Sequence, residues 1–487
     1  MSQVLENKPS YQDLEAENFR LRAEIATLKR LIFGQKRERF IPADTEQMEL
    51  AGFESAKEAP ADTEEITYTR PKRKGKQAKA PSRQPLPAAL PRKEIIIEPD
   101  EDTAGMKKIG EEVTEELEYE PAKFWVNRYI RPKYARPGDQ GIAIGFLPSR
   151  PIEKGIPGPG LLSHMLISKY IDHLPLYRQQ QQFLRIGVEI PESTLCGWVK
   201  RSARLLSPLY ERLKDQVLSS DYLQADETPI RVLDPMKSGT THQGYYWVYY
   251  DPIDRAGFFD YQKGRSRAGP NRILQDFKGC LQTDGYKGYD EITRQKTVTG
   301  VGCMSHARRY FVEARSADAG RADWMLSEIQ KLYATERRSR DENLSFDQRL
   351  KLRQEEALPV LEAMKAWLDR ESIQVLPKSA PGKAIAYMLS QWSRLTVYVT
   401  DGRLEIDNNL VENAIRPVAV GRKNYLFAGS HGGARQAALI YTLMANARLH
   451  KIEPFSYLRD VLSRISDYPY KKIDDLLPAN WKNISLK

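Results

Sequence analysis

The chain has 487 residues, with 75 Lys+Arg against 65 Asp+Glu, a formal net charge of +10 and 41% hydrophobic residues. That length suggests about three domains with core enough to fold without covalent staples. No stretch approaches the ~18 consecutive apolar residues of a membrane helix, and no apolar signal segment opens the chain, so a membrane protein is excluded. Three cysteines, Cys196, Cys280 and Cys303, form no CxxC pair, which excludes a disulfide scaffold and a cysteine-based zinc finger and points to a reducing cytosol.

Residues 1–40 are read as a coiled-coil dimerisation segment. Tyr11, Asn18, Ile25 and Ile32 share one heptad position and Leu14, Leu21 and Leu28 the other. Asn18 is the single polar core residue that favours a parallel dimer, and Glu17 and Glu24 face Arg22 and Lys29 across it. An amphipathic helix packed on its own protein gives the same apolar stripe.

Residues 41–93 are expected to be a disordered linker, acidic and then basic. The first part has eight Asp/Glu against one Lys over 41–65; Arg70 to Lys93 has nine Lys/Arg, five Pro and no acid. Such a composition buries too little to offset its ordering entropy, and its basic arm suits DNA phosphates as well as it suits a solvated spacer. Residues 94–147 read as a small β-rich unit, with Ile95–Ile97 and Phe124–Ile130 as strands.

Residues 148–217 read as a helical, helix-turn-helix-like DNA-binding region. One helix over Tyr177–Ile186 ends at Gly187 and a second starts near Ser193, carrying Leu195, Trp198 and Val199 inward and Lys200, Arg201 and Arg204 outward. Any helical hairpin shares this outline.

From Asp221 the texture becomes strand-rich, and residues 218–317 are expected to be the first part of an α/β core with a mixed sheet. Strands are predicted at Tyr222–Ala225, Gly244–Tyr250, Gly257–Tyr261, Cys280–Thr283 and Thr297–Cys303, with helices at Pro270–Phe277 and from Ser305. Asp226 and Asp284 then stand at strand ends, where a carboxylate can ligate a hard divalent cation; a turn or helix cap is the plainer role for each alone. Residues 318–396 form a helical insertion, residues 397–450 the last part of the core, and residues 451–487 a helical tail. In the last core part, Asp407–Pro417 is densely polar, and helical spacing puts Asn408, Glu412 and Arg416 on one face. Arg422, Lys423 and Asn424 alternate with aromatics in a pattern that suits phosphate contact and base stacking as well as a cationic strand.

Ala225–Thr228, Thr283–Tyr286 (TDGY), Cys303–Phe311 (CMSHARRYF) and Asp407–Ser430 (DNNLVENAIRPVAVGRKNYLFAGS) resemble the insertion-sequence-66 family of bacterial DDE transposases, over nearly the whole chain. The resemblance implies an RNase H-like core with Asp226, Asp284 and Glu412 as an acidic triad, interrupted by the helical insertion. Family members carry a small zinc-binding domain with two cysteine pairs ahead of the helical block. The corresponding residues here contain no cysteine, so no zinc is expected.

On this reading the protein is a bacterial, nucleoid-associated cytoplasmic enzyme that binds the terminal inverted repeats of a mobile element and target DNA. It cleaves and transfers strands with Mg²⁺ (two ions, with Mn²⁺ as a substitute), Asp226 bridging both ions and Asp284 and Glu412 each holding one. Asn408, Arg416, Arg422, Lys423 and Asn424 are expected to position the DNA backbone, with His306, Arg308 and Arg309 near the scissile phosphate and Lys200 and Arg201 on the DNA-binding helix; a helix-capping or core role is the plainer reading of His306. A homodimer or higher oligomer and small accessory proteins of the same element are the expected partners. A transposase-derived DNA-binding regulator and a structure-selective nuclease on the same fold are the alternatives.

Overall fold

The computed structural model describes residues 124–127, 130, 133–135, 142–144, 149–153, 155–233 and 240–481. The chain divides into two compact units, Met1–Trp125 and Val126–Lys487, and every element below belongs to the second. The expected coiled coil and linker lie outside the described residues, as does most of the small β-rich unit.

Residues 124–127 and 130 are not in a strand, contrary to expectation. Two short antiparallel strands follow instead, β1 (Lys133–Ala135) and β2 (Ile142–Ile144). Three helices come next: α1 (Pro159–Tyr170), α2 (Leu176–Arg185) and α3 (Glu192–Leu218). Gly187, at φ +83°, supplies the left-handed residue that stops the chain after α2. Helix α3 starts after Pro191, next to the expected start near Ser193, and it buries Leu195, Trp198 and Val199 as the spacing predicts.

The core is a five-stranded mixed sheet in the order β5-β4-β3-β6-β7. Its strands are β3 (Tyr222–Leu233), β4 (Thr241–Asp251), β5 (Ala256–Gln262), β6 (Gly279–Gln282) and β7 (Val298–Val301). Strands β3, β4 and β5 form an antiparallel meander, and β6 and β7 add on parallel to β3. Parallel pairing requires crossovers, which here carry the short helices α4 (Ala268–Ile273) and α5 (Asp290–Thr293).

Helix α6 (Met304–Ala314) leaves the sheet after β7. The insertion then contributes α7 (Ala319–Asp341), α8 (Phe346–Leu352), a π turn at Arg353–Ala357, α9 (Leu358–Ser372) and α10 (Ala380–Leu395). Its own core joins Leu361, Met364, Trp367, Leu368, Ile385 and Met388 to Tyr222 of the sheet. The chain returns through α11 (Asn409–Gly421), α12 (His431–Leu449) and α13 (Pro454–Arg464).

Helix α12 covers the edge of the sheet. Asn446 exchanges hydrogen bonds with both backbone groups of Gly257 (3.1 and 2.7 Å), and the Phe259 amide donates to the Thr442 hydroxyl (3.0 Å). Unpaired groups of β5 are thereby satisfied, which removes a template for strand addition. Among the described residues, no helix is long and apolar enough to cross a membrane.

Candidate active site

The two aspartates are brought together by register. Tyr222, Leu223 and Gln224 of β3 pair with Cys280, Leu281 and Gln282 of β6. Continuing two residues along both parallel chains reaches Asp226 and Asp284, on the face that Gln224 and Gln282 share, because side chains alternate with period two. Asp226 is not at a strand end as expected: β3 runs on to Leu233, paired with β4. Asp284 does follow its strand. Its Oδ1 accepts the Tyr286 amide (2.8 Å) across Gly285, whose φ of +85° makes the tight turn possible.

Glu412 reaches the site from the first turn of α11. That helix is tied to the sheet one layer below the aspartates. Gln224 Nε2 donates to Gln282 Oε1 (2.9 Å) and to the Asp407 carbonyl (3.0 Å), and its Oε1 accepts the Val411 amide (3.2 Å). Gln282 Nε2 donates to the Gly302 and Glu405 carbonyls (3.0 and 2.8 Å). Asp407, two residues before the helix, accepts from the Asn409 amide (3.1 Å) and from the Tyr333 hydroxyl (2.7 Å).

The acids feel one another. Burial pushes the Asp226 carboxyl well above the usual carboxylate range, and Glu227, Asp284 and Glu412 add to the rise. Burial also raises Glu412, helped by Asp407 and Asp284 and opposed by Arg309 and Arg416. The buried Oε1 of Glu412 accepts no hydrogen bond, and His306 Nδ1 lies 3.9 Å from it. Burial lowers the His306 imidazole while Asp284 opposes the shift, and its Nδ1 also lies 3.2 Å from Cys303 Sγ.

These donors are hard oxygens, one of them buried and unpartnered, and the repulsion among them is what a divalent cation relieves. The set fits such an ion. Among the described residues, no three His, Cys, Asp or Glu side chains already stand close enough to enclose one, so the acids meet as interacting charges rather than as a closed cage.

The remaining expected residues separate into groups. Arg308, Arg309, Arg416, Lys423 and Asn424 are exposed, and Arg422 is half-buried with its guanidinium donating to the Pro229 carbonyl. Lys200 and Arg201 are exposed on α3. Asn408 corrects the helical-face reading: it precedes α11 as its cap, is fully buried, and neither polar atom of its side chain has a hydrogen-bond partner. It offers no surface to DNA.

Several neighbours were missed from sequence. Glu227 is held by Arg265 (2.5 Å) and by the Tyr289 hydroxyl (3.3 Å), while the Tyr387 hydroxyl of the insertion donates to the Asp284 carbonyl (2.9 Å). The acid at 227 directly after Asp226 was the one signal available in sequence; the tyrosines had none.

The Transposase IS66 family model matches residues 154–436, and the IS66 C-terminal element matches residues 442–479. A model described as Transposase C of IS166 homeodomain matches residues 20–95. The zinc-finger binding domain of transposase IS66 matches residues 101–135. This last match overturns the expectation of no zinc, which rested on missing cysteines alone. The matched residues contain neither cysteine nor histidine, so no ligand set is assigned and no step is derived through zinc. Two similar chains are uncharacterized proteins of Sinorhizobium fredii (strain NBRC 101917 / NGR234). Protein y4jD is 34% identical, covering 95% of this chain and 94% of the relative; y4qI is 35% identical, covering 82% and 79%.

Proposed function

The chain belongs to the IS66 transposase family, and from that premise we propose that it cleaves and joins DNA at the ends of a bacterial insertion sequence, with Asp226, Asp284 and Glu412 as the acidic triad of an RNase H-like core. The observation that carries this reading is the convergence of Asp226 and Asp284 by parallel register, with an unpaired oxygen of Glu412 and raised carboxyls at Asp226 and Glu412. The sheet order, an antiparallel meander with two parallel strands added beside its first member, supports the fold assignment.

Phosphodiester cleavage needs an activated water or 3′-hydroxyl and relief of charge on the leaving oxygen. Bound Mg²⁺ supplies both, as a Lewis acid that also acidifies water. The chain's part is to hold and orient. Asp226, whose carboxyl both Asp284 and Glu412 raise, would hold the metal together with those two acids. Arg309 and Arg416 lie close enough to Glu412 to oppose its raised pKa, and both are exposed, which suits contacts to the phosphates flanking the scissile one. Arg308, Arg422, Lys423 and Asn424 extend that path, with Lys200 and Arg201 on α3 as a second point of contact. The N-terminal heptads support assembly as a homodimer or larger complex on paired inverted repeats.

The experiment is incubation of the full chain with labelled duplex carrying the element's ends and Mg²⁺, with strand joining as readout. Wild type should yield nicked and joined products. Glu412→Ala, Asp226→Ala and Asp284→Ala should each lose at least about 10³-fold in rate, the scale of several kcal/mol of transition-state stabilisation, with DNA affinity retained. Joining at the wild-type rate by Glu412→Ala would end this assignment. Nicking without joining would favour a nuclease, and binding without either a regulator.

A further inference from the structure

The insertion carries a buried ionic cluster that the reaction scheme above does not use. Glu336 on α7 and Arg353 at the π turn are both fully buried, and Arg349 on α8 is nearly so. Arg353 donates to both carboxylate oxygens of Glu336 (2.7 and 2.9 Å), and Arg349 donates twice to Glu336 Oε2 (3.1 and 2.6 Å).

What the cluster grips is the chain leading to the third acid. Arg353 spends its remaining donors on three backbone carbonyls: Tyr398 (2.7 Å), Asp401 (2.9 Å) and Leu404 (2.7 Å). Arg349 forks onto the Glu405 carboxylate (2.9 and 3.0 Å). From the opposite side the sheet holds the same segment: the Glu405 amide donates to the Tyr222 hydroxyl (2.9 Å), and Gln282 and Gln224 bind the carbonyls of Glu405 and Asp407. Residues 398–407 therefore run between two sets of buried polar contacts, and Glu412 follows within two turns.

Stability alone is a poor account of such a cluster. A buried ion pair often contributes no more than well-packed apolar residues of the same volume, because desolvation offsets the Coulombic gain. Directionality is what it adds. A guanidinium with all five donors committed fixes a backbone path in a way that apolar packing does not.

Resting on the triad assignment above, we propose that Glu336, Arg349 and Arg353 are positioning residues that set Glu412 against Asp226 and Asp284 by fixing the path of residues 398–407. The insertion is then a working part of the active site, although none of these three side chains touches substrate.

The test compares full-length Arg353→Lys with a triple apolar variant, Glu336→Leu, Arg349→Leu and Arg353→Met. Four readouts are taken: melting temperature, DNA affinity, hydrogen exchange of amides 404–412 without metal or DNA, and single-turnover cleavage. The triple variant strands the Tyr398, Asp401 and Leu404 carbonyls, so the proposal expects it to melt somewhat lower while staying folded and binding DNA equally, yet to exchange faster across 404–412 than across the rest of the sheet and to cleave about 100-fold more slowly, the scale of an ångström-sized misplacement. Arg353→Lys keeps the charge but loses the fork, and should show the same pattern more weakly. Unchanged exchange across 404–412 in both variants, or wild-type cleavage by the triple variant, overturns it. Should the triple variant fail to fold, Arg353→Lys decides alone by the same readouts. If wild type itself does not cleave, the triad reading fails, while the exchange measurement still decides the clamp.

Discussion

Gln224 and Gln282 bond to each other at 2.9 Å across two parallel strands, each two residues before an aspartate of the candidate triad. Both are fully buried, and between them they bind the backbone of Gly302, Glu405, Asp407 and Val411. One amide pair thus sets the spacing of Asp226 from Asp284 and seats the helix that brings Glu412. Replacing Gln282 by Leu strands two buried carbonyls. At about 1–3 kcal/mol for each orphaned group, urea unfolding should show a loss of several kcal/mol. A loss below about 0.5 kcal/mol would mean that water or relaxation replaces these bonds.

Asp226 predicts how the metal-free protein responds to pH. Its carboxyl is raised, first by burial and then by Glu227, Asp284 and Glu412, so the folded state keeps a proton that the unfolded chain releases near pH 4. Stability from this group is complete below that value and is lost as pH rises through the folded-state pKa. In chelator, wild type should lose melting temperature relative to Asp226→Asn as pH climbs above about 4, since the two differ in this group alone. Mg²⁺ or Mn²⁺ should restore stability most at high pH, by about 2.7 kcal/mol at one hundred times its dissociation constant. Identical pH profiles for wild type and Asp226→Asn would contradict the raised carboxyl.

Tyr387 reaches from the insertion to the Asp284 carbonyl (2.9 Å), and its ring stacks on Tyr310 of α6 with centroids 4.3 Å apart. Tyr387→Phe keeps the stack and removes only the hydroxyl. The expected cost is about 1 kcal/mol in stability, with slower cleavage and unchanged DNA affinity. Weakened DNA binding with cleavage of bound DNA unaffected would instead give the hydroxyl a role in contacting the substrate.

Runs of aromatic and apolar residues made the strands legible in sequence, since both faces of the sheet are covered, and the helical spacing of apolar residues did the same for the insertion helices. Asp226 was read as a strand end, yet β3 runs on through Glu227 and Pro229 to Leu233. In the fold, β6 pairs with β3 only as far as Gln224, so Pro229 lies where one side of β3 has no strand partner and its missing amide costs no ladder bond. Asn408 fell on the Glu412 face by spacing alone, but the helix begins one residue later and turns it inward. The Glu336–Arg353 cluster was invisible for a different reason. Charged residues on an amphipathic pattern read as a solvated face, and only the packing of separate helices shows that these are buried and paired.

Arg422 and Lys423 are adjacent in sequence but should fail differently when changed. Lys423 is exposed, and a lysine that neutralises one phosphate releases counterions. Lys423→Ala should therefore weaken binding to all sequences alike and lower the slope of log affinity against log salt by about 0.9. Arg422 is half-buried and donates to the Pro229 carbonyl at the far part of β3, where burial lowers its pKa. Arg422→Ala takes away a structural contact as well as a charge, so its melting temperature should drop while Lys423→Ala melts like wild type. Salt titrations of DNA binding and thermal melts on the two variants separate the effects. Equal melting temperatures with equal salt slopes would mean that Arg422 is a phosphate contact and nothing more.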